Sequence, residues 1–295
     1  GIPAVVENAQ SLPGYLTMMT TYDPVAGVEQ PYPIINIISM IAWGLGYFGM
    51  PHILLRFMAI EDEEKLTLSR RVATIWVVIS LAVAVLIGVI GLAMSDVGAL
   101  KTLTGSDSET IIVQIADLLS KHGILPALLA GTILAGILAS TMSTADSQLL
   151  AASSAVSSDL FGDRVAKTGD KKKAMNAARF TLLAIAVIAA FIARDPNSSV
   201  FGIVSFAWAG FGAVFGPVVL FALFWRRSNW QGALAGMISG GAMVFIWKYL
   251  VRPLGGVWNI YELLPAFSVS CLMIVIVSLL TKAPSKEITE EFDRV

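Results

Sequence analysis

Residues 43–52 read WGLGYFGMPH. They lie inside an apolar run, roughly 33–57, that is long enough to cross a bilayer as a helix. Gly44, Gly46 and Gly49 weaken a helix there, and Pro51 lacks an amide proton and clashes with the preceding turn. The stretch therefore predicts a helix interrupted near mid-membrane. Backbone groups freed by such a break can contact a solute. Trp43 and Tyr47, four residues apart, would place two aromatics on one helical face. A plain proline kink with its aromatics packed against neighbours uses the same residues, and the stretch alone leaves both readings open.

The surrounding chain has the composition of a membrane protein. Of its 295 residues, 56% are hydrophobic and 14% charged, against about 25% charged in soluble domains. The net charge of −1 gives no bulk basicity to attract nucleic acid. One cysteine, Cys271, excludes an internal disulfide framework. His52 and His122 stand alone, without metal-ligand spacing. No glycine-rich phosphate loop follows a predicted strand. The start at Gly1, with no charged leader and no cleavage signal, reads as a piece of a longer or processed protein.

Seven segments are long and apolar enough to span a bilayer: roughly 33–57, 72–95, 124–157, 177–193, 200–225, 230–251 and 260–281. Within lipid each should be a helix, because unpaired backbone groups are costly there. The fold class expected is an all-α polytopic membrane protein. The second span carries no charge between Arg71 and Asp96. The fourth must let Arg179 reach the headgroups. Alternating loops divide Lys and Arg 15 to 5. The richer side is expected in the cytoplasm. That puts the loop 1–32 outside and the tail 282–295 inside a plasma membrane, the bacterial inner membrane. In the outer loop 96–123, Ser108 would cap a surface helix whose apolar face carries Ile111, Ile112, Ile115, Leu118 and Leu119. Such a helix would cover an outer mouth or simply pack against the loop.

The third span ends in ASTMSTADSQLL, residues 139–150. On a helix, Ser140, Ser143, Thr144 and Ser147 fall at i, i+3, i+4 and i+7, on one face. Thr132 and Gly136 extend that face. Thr141 lies about 100° away from Ser140. Hydroxyls and carbonyls can replace the water of a small cation without adding charge, which suits an ion that must bind and leave. Small hydroxyl residues also serve helix–helix packing, bonding across the contact or to their own backbone. An acid inside a membrane is expensive, which singles out Asp146. It falls past the midpoint of the span, lining an aqueous inner path or pairing with a loop Arg.

Two further stretches are glycine-rich. FAWAGFGAVFGP, 206–217, has Gly210, Gly212, Gly216 and Pro217, permitting close approach or a bend. GALAGMISGG, 232–241, repeats glycine every four residues, a tight helix-packing pattern. Asn197-Ser198-Ser199 matches a glycosylation sequon, a pattern common by chance.

Together and in this order, WGLGYFGMPHILLRFMA, MSTADSQLLAASSAVSSDLF, FAWAGFGAVFGPVVLF and KAPS (282–285) resemble the sodium/solute symporter family, its proline branch in particular. The resemblance covers nearly the whole chain. It implies a partial LeuT-like fold, with 33–225 as the second five-helix repeat and 226–281 as two accessory helices. It implies sodium-coupled uptake of L-proline, with sodium as coupling ion and no enzyme chemistry. Ser143 and Thr144 would give side-chain oxygens to sodium, and Ser140 its carbonyl. Trp43, Tyr47 and Pro51 would contact the solute. Asp146 and Ser147 would belong at most to the inner exit. The family's first repeat is missing from the chain, and with it the other ion ligands and much of the solute pocket. Rival readings are a symporter of another solute such as pantothenate or another amino acid, a membrane sensor or receptor, and a passive channel.

Overall fold

The computed structural model describes residues 1–156, 171–195 and 199–294. The sequon at Asn197 falls outside them. Among the described residues the chain is helical apart from one hairpin. Helix α1 (Ile2–Ser11) precedes strands β1 (Thr20–Asp23) and β2 (Val28–Pro31), paired antiparallel with Thr20 opposite Pro31 and Asp23 opposite Val28. The turn is tied by Asp23, whose Oδ1 accepts from the Val25 and Ala26 amides at 2.9 and 3.1 Å. Those two donors hold the Asp23 carboxyl below its ordinary range.

The predicted interruption is present. Helix α2 (Ile34–Ala42) gives way to a 3-10 turn over Trp43–Gly49, and a new helix, α3 (Pro51–Met58), leaves at 52°. Met50, driven extended by the following proline (φ −81°, ψ 114°), is the break itself. Pro51 occupies the first position of α3, where its missing amide has no partner to lose. It therefore begins a helix and does not kink a continuous one.

The remaining long helices are α4 (Lys65–Asp96), α6 (Ile124–Ser154), α7 (Lys171–Ile192), α8 (Val200–Phe224), α9 (Trp230–Ile246) and α10 (Leu263–Leu280). The short α5 (Ile111–Ser120) precedes α6, and α11 (Lys286–Phe292) follows α10. Their ends agree with the hydropathy reading to within a few residues, except that α4 begins at Lys65 and α7 at Lys171. Helix α5 turns its five expected apolar residues to half-buried positions. Its cap differs from expectation. A 3-10 turn over Gly105–Thr110 intervenes, and the Ser108 hydroxyl donates back to the Gly105 carbonyl at 2.6 Å. Ser and Thr readily bond their own turn in this way, which removes them from the cap.

The chain divides into two compact units. The first contains Gly1–Ala9 and Thr67–Val200. Here α5 packs on α6 and α6 on α7, with the buried Ser153 hydroxyl donating to the Ala178 carbonyl at 2.9 Å. Glu109 receives both the Ser199 hydroxyl (2.6 Å) and the Val200 amide (2.9 Å). The second unit contains Gln10–Leu66 and Phe201–Val295. Its core joins Ala42, Ala209, Ala213, Val244, Leu263, Ala266 and Phe267. The four-residue glycine repeat does what its spacing suggests. Gly232, Gly236 and Gly240 bring α9 against Ser278, Ile274 and Ser270 of α10. Helix α8 runs through Pro217 without interruption.

Candidate functional site

Two groups of residues carry the candidate chemistry, one in each unit. In the second unit the broken helix is seated on α8 by glycines from both sides. A Cβ on Gly212 would lie 2.7 Å from the Gly46 Cα, and one on Gly49 would lie 2.9 Å from the Gly212 Cα. The backbones touch because no side chain intervenes. Gly46 also faces the indole of Trp208, whose Nε1 donates to the Trp43 carbonyl at 3.0 Å. That carbonyl lies where α2 passes into the 3-10 turn, so a side chain from α8 ties the start of the turn.

Aromatic rings surround this point. Trp43 is half-buried and near-parallel to Trp208 (5.5 Å, 19°), Phe201 (5.4 Å, 13°) and Tyr261 (5.8 Å, 17°). Tyr47 is exposed and meets Trp208 edge-on at 4.8 Å and 85°. With three residues per 3-10 turn, residues four apart sit about 120° apart. Trp43 and Tyr47 are thus not aligned by α-helical spacing. Trp208 brings them together, one against its face and the other against its edge. Pro51 is exposed at the start of α3.

Tyr261, immediately before α10, completes the wall. Its amide donates to the Ser39 hydroxyl of α2 at 3.0 Å, and its own hydroxyl to the Ser205 carbonyl of α8 at 2.6 Å. Neither Trp208 as a bridge nor Tyr261 and Glu262 at all were legible as site neighbours. The only sequence signal was the tryptophan within FAWAGFGAVFGP.

In the first unit, α6 carries the hydroxyl face. Ser140, Ser143, Thr144, Asp146 and Ser147 are all exposed along it. Thr144 Oγ1 lies 3.3 Å from the Ser140 carbonyl oxygen, and Ser147 Oγ donates to the Ser143 carbonyl at 3.0 Å. Thr141 Oγ1 instead bonds Ile137 at 3.0 Å, on another side. Two of the three expected ion-binding oxygens, on Thr144 and Ser140, are therefore already neighbours. The contact is the i to i−4 back-bond of a helical threonine, which the ion-site and the packing readings both accommodate.

Six helices among the described residues are long and apolar enough to cross a membrane, and seven spans result if the bent pair α2–α3 counts as one. The chain is a multi-pass membrane protein. Residues 4–240 match the sequence profile of the Sodium:solute symporter family. The chain belongs to that family, which comprises transporters and not enzymes. It is 41% identical over 261 residues to the high-affinity proline transporter PutP of Bacillus subtilis (strain 168), covering 88% of this chain and 52% of that protein. It is 42% identical over 259 residues to the sodium/proline symporter of Salmonella typhimurium, covering 88% and 50%. To the osmoregulated proline transporter OpuE of Bacillus subtilis it is 40% identical over 253 residues, covering 86% and 49%. The chain spans about half the length of these relatives. No solved structure gives a significant match.

Proposed function

We propose that this chain forms part of a sodium-coupled symporter that takes up L-proline across the plasma membrane. The observation that carries the reading is the helix broken at Trp43–Met50, ringed by Trp208, Tyr47 and Tyr261. Family membership and relatives named for proline point to the solute. Tyr47 and Pro51, both exposed, would meet the solute directly, with Trp43 behind them. Sodium would take the Ser143 and Thr144 hydroxyls and the Ser140 carbonyl, and Ser147 and Asp146 would lie along its inward path. Residues 33–225 would form a five-helix repeat of a LeuT-like core, 226–281 two accessory spans, and 282–295 a cytoplasmic tail. The excess of positive charge supports an outside hairpin and an inside C-terminus. The portion of the relatives that this chain does not span would supply the remaining ligands. Joint binding of both would favour a closed state that reopens inward.

The test is uptake of labelled proline by cells producing the full-length protein. Accumulation is expected to need an inward sodium gradient and to collapse with a sodium ionophore. Equilibration without accumulation would mean a channel, and displacement by pantothenate but not by proline would mean another solute. Tyr47→Ala is expected to raise the proline KM several-fold, since aromatic contacts contribute about 0.5–1.5 kcal/mol each. The sodium half-saturation at saturating proline should not move. An unchanged KM removes Tyr47 from the solute site.

A further inference from the structure

Between α9 and α10 the chain passes through a π turn (Trp247–Val251) and two 3-10 turns (Arg252–Leu254 and Gly256–Trp258). Side chains hold this irregular path in place. The Glu262 carboxylate has a side chain only 1% exposed. One of its oxygens takes Arg252 Nη1 at 2.8 Å, and the other faces Lys248 Nζ at 3.9 Å. Arg252 Nε donates to Asn259 Oδ1 at 3.0 Å, and Trp247 Nε1 to the Ile260 carbonyl at 3.1 Å. A carboxylate is buried only at great cost unless it is paired, and this one meets two cations. The position of Glu262 is therefore over-determined from the α9 side.

Its neighbour Tyr261 gives the connection one backbone bond, its carbonyl accepting from the Leu264 amide at 3.2 Å at the start of α10. Its other contacts reach α2, α8 and the Trp43 ring: the amide donates to Ser39 of α2, the hydroxyl to the Ser205 carbonyl of α8, and the ring stacks along Trp43. Ser39 is itself pinned, its hydroxyl donating to the Ile35 carbonyl at 2.7 Å. A residue serving only to close the α9–α10 connection would not need these partners. We propose that Tyr261 is a positioning residue for the solute site, holding α2, α8 and the Trp43 ring in one arrangement, and that Glu262 anchors it. The inference rests on the reading of the break as the solute site. It makes solute affinity depend on two buried residues, Tyr261 at 6% and Glu262 at 1% exposed.

The experiment compares uptake by the full-length protein carrying Tyr261→Phe, Tyr261→Leu or Glu262→Gln, with membrane abundance measured in parallel. Tyr261→Phe keeps the ring and loses one buried hydrogen bond, so the solute KM is expected to rise about three- to ten-fold. Tyr261→Leu also removes the stack and should raise it further, and Glu262→Gln should shift it in the same sense. Maximal rate per membrane-resident molecule should change little. The sodium half-saturation, read at saturating solute where solute affinity no longer enters, should stay at the wild-type value. A wild-type KM in Tyr261→Phe overturns the proposal. So does a sodium half-saturation that rises by the same factor as KM, which marks general loosening. If Tyr261→Leu does not reach the membrane, Tyr261→Phe decides. If the unsubstituted protein takes up another solute in place of proline, that solute is used, and the variants still separate positioning from its absence.

Discussion

Gly49→Ala is expected to abolish uptake, whereas Gly44→Ala, five residues earlier, should leave it intact. A Cβ on Gly49 would press on the Phe211 carbonyl and lie 2.9 Å from both the Gly212 Cα and the Gly216 amide nitrogen. These are backbone atoms of α8 and cannot rotate aside. Overpacking of this kind costs about 1–3 kcal/mol where side chains can adjust, and more where they cannot. Gly44 has nothing within 4 Å of the same added atom. Alanine there should be neutral or slightly stabilising, since glycine is the poorer helix former. Thermal unfolding of the detergent-solubilised full-length protein, beside uptake, reads both. Equal behaviour of the two variants would show that the break does not depend on its seat against α8.

Thr144→Ala and Ser143→Ala are expected to raise the sodium half-saturation by at least about ten-fold. The basis is the 1.5–3 kcal/mol typical of polar contacts to a charged group. Thr144→Ser keeps the oxygen and should retain most of the response. Thr141→Ala is the internal control, because its hydroxyl bonds Ile137 and lies off the face shared by Ser140 and Thr144. If Thr141→Ala and Thr144→Ala shift the sodium response alike, the ion does not bind this face. At saturating sodium the proline KM of the Thr144 variant should approach that of the unsubstituted protein, which distinguishes an ion defect from a misfolded one.

Elements were readable from sequence wherever one local rule dominated. Continuous apolar runs set the spans, because backbone in lipid has no partner but itself. The Gly–Pro cluster set the break, and the four-residue glycine repeat set the α9–α10 contact. What escaped depended on partners distant in sequence. Trp208 lies 165 residues from the carbonyl that it satisfies. Ser39 and Tyr261 are 222 residues apart. The hairpin at Thr20–Pro31 escaped for another reason. All of β2 is exposed, so no alternation of apolar and polar residues announced it. Ser108 does not cap α5, because a 3-10 turn precedes that helix and uses the hydroxyl itself. The spacing of Trp43 and Tyr47 was read with α-helical geometry, and the break changed the geometry under them.

The α9–α10 pair is fastened at both ends. At one, Asn229 accepts from the Gly232 amide and donates to Thr281 Oγ1 and the Lys282 carbonyl, each at 2.8 Å. At the other, Glu262 binds Arg252 and Lys248. With glycine contacts between, the two helices are held together along their length. The pair thus gives the aromatic wall a fixed backing, since Val244 of α9 and Leu263, Ala266 and Phe267 of α10 share one core with Ala42, the last residue of α2.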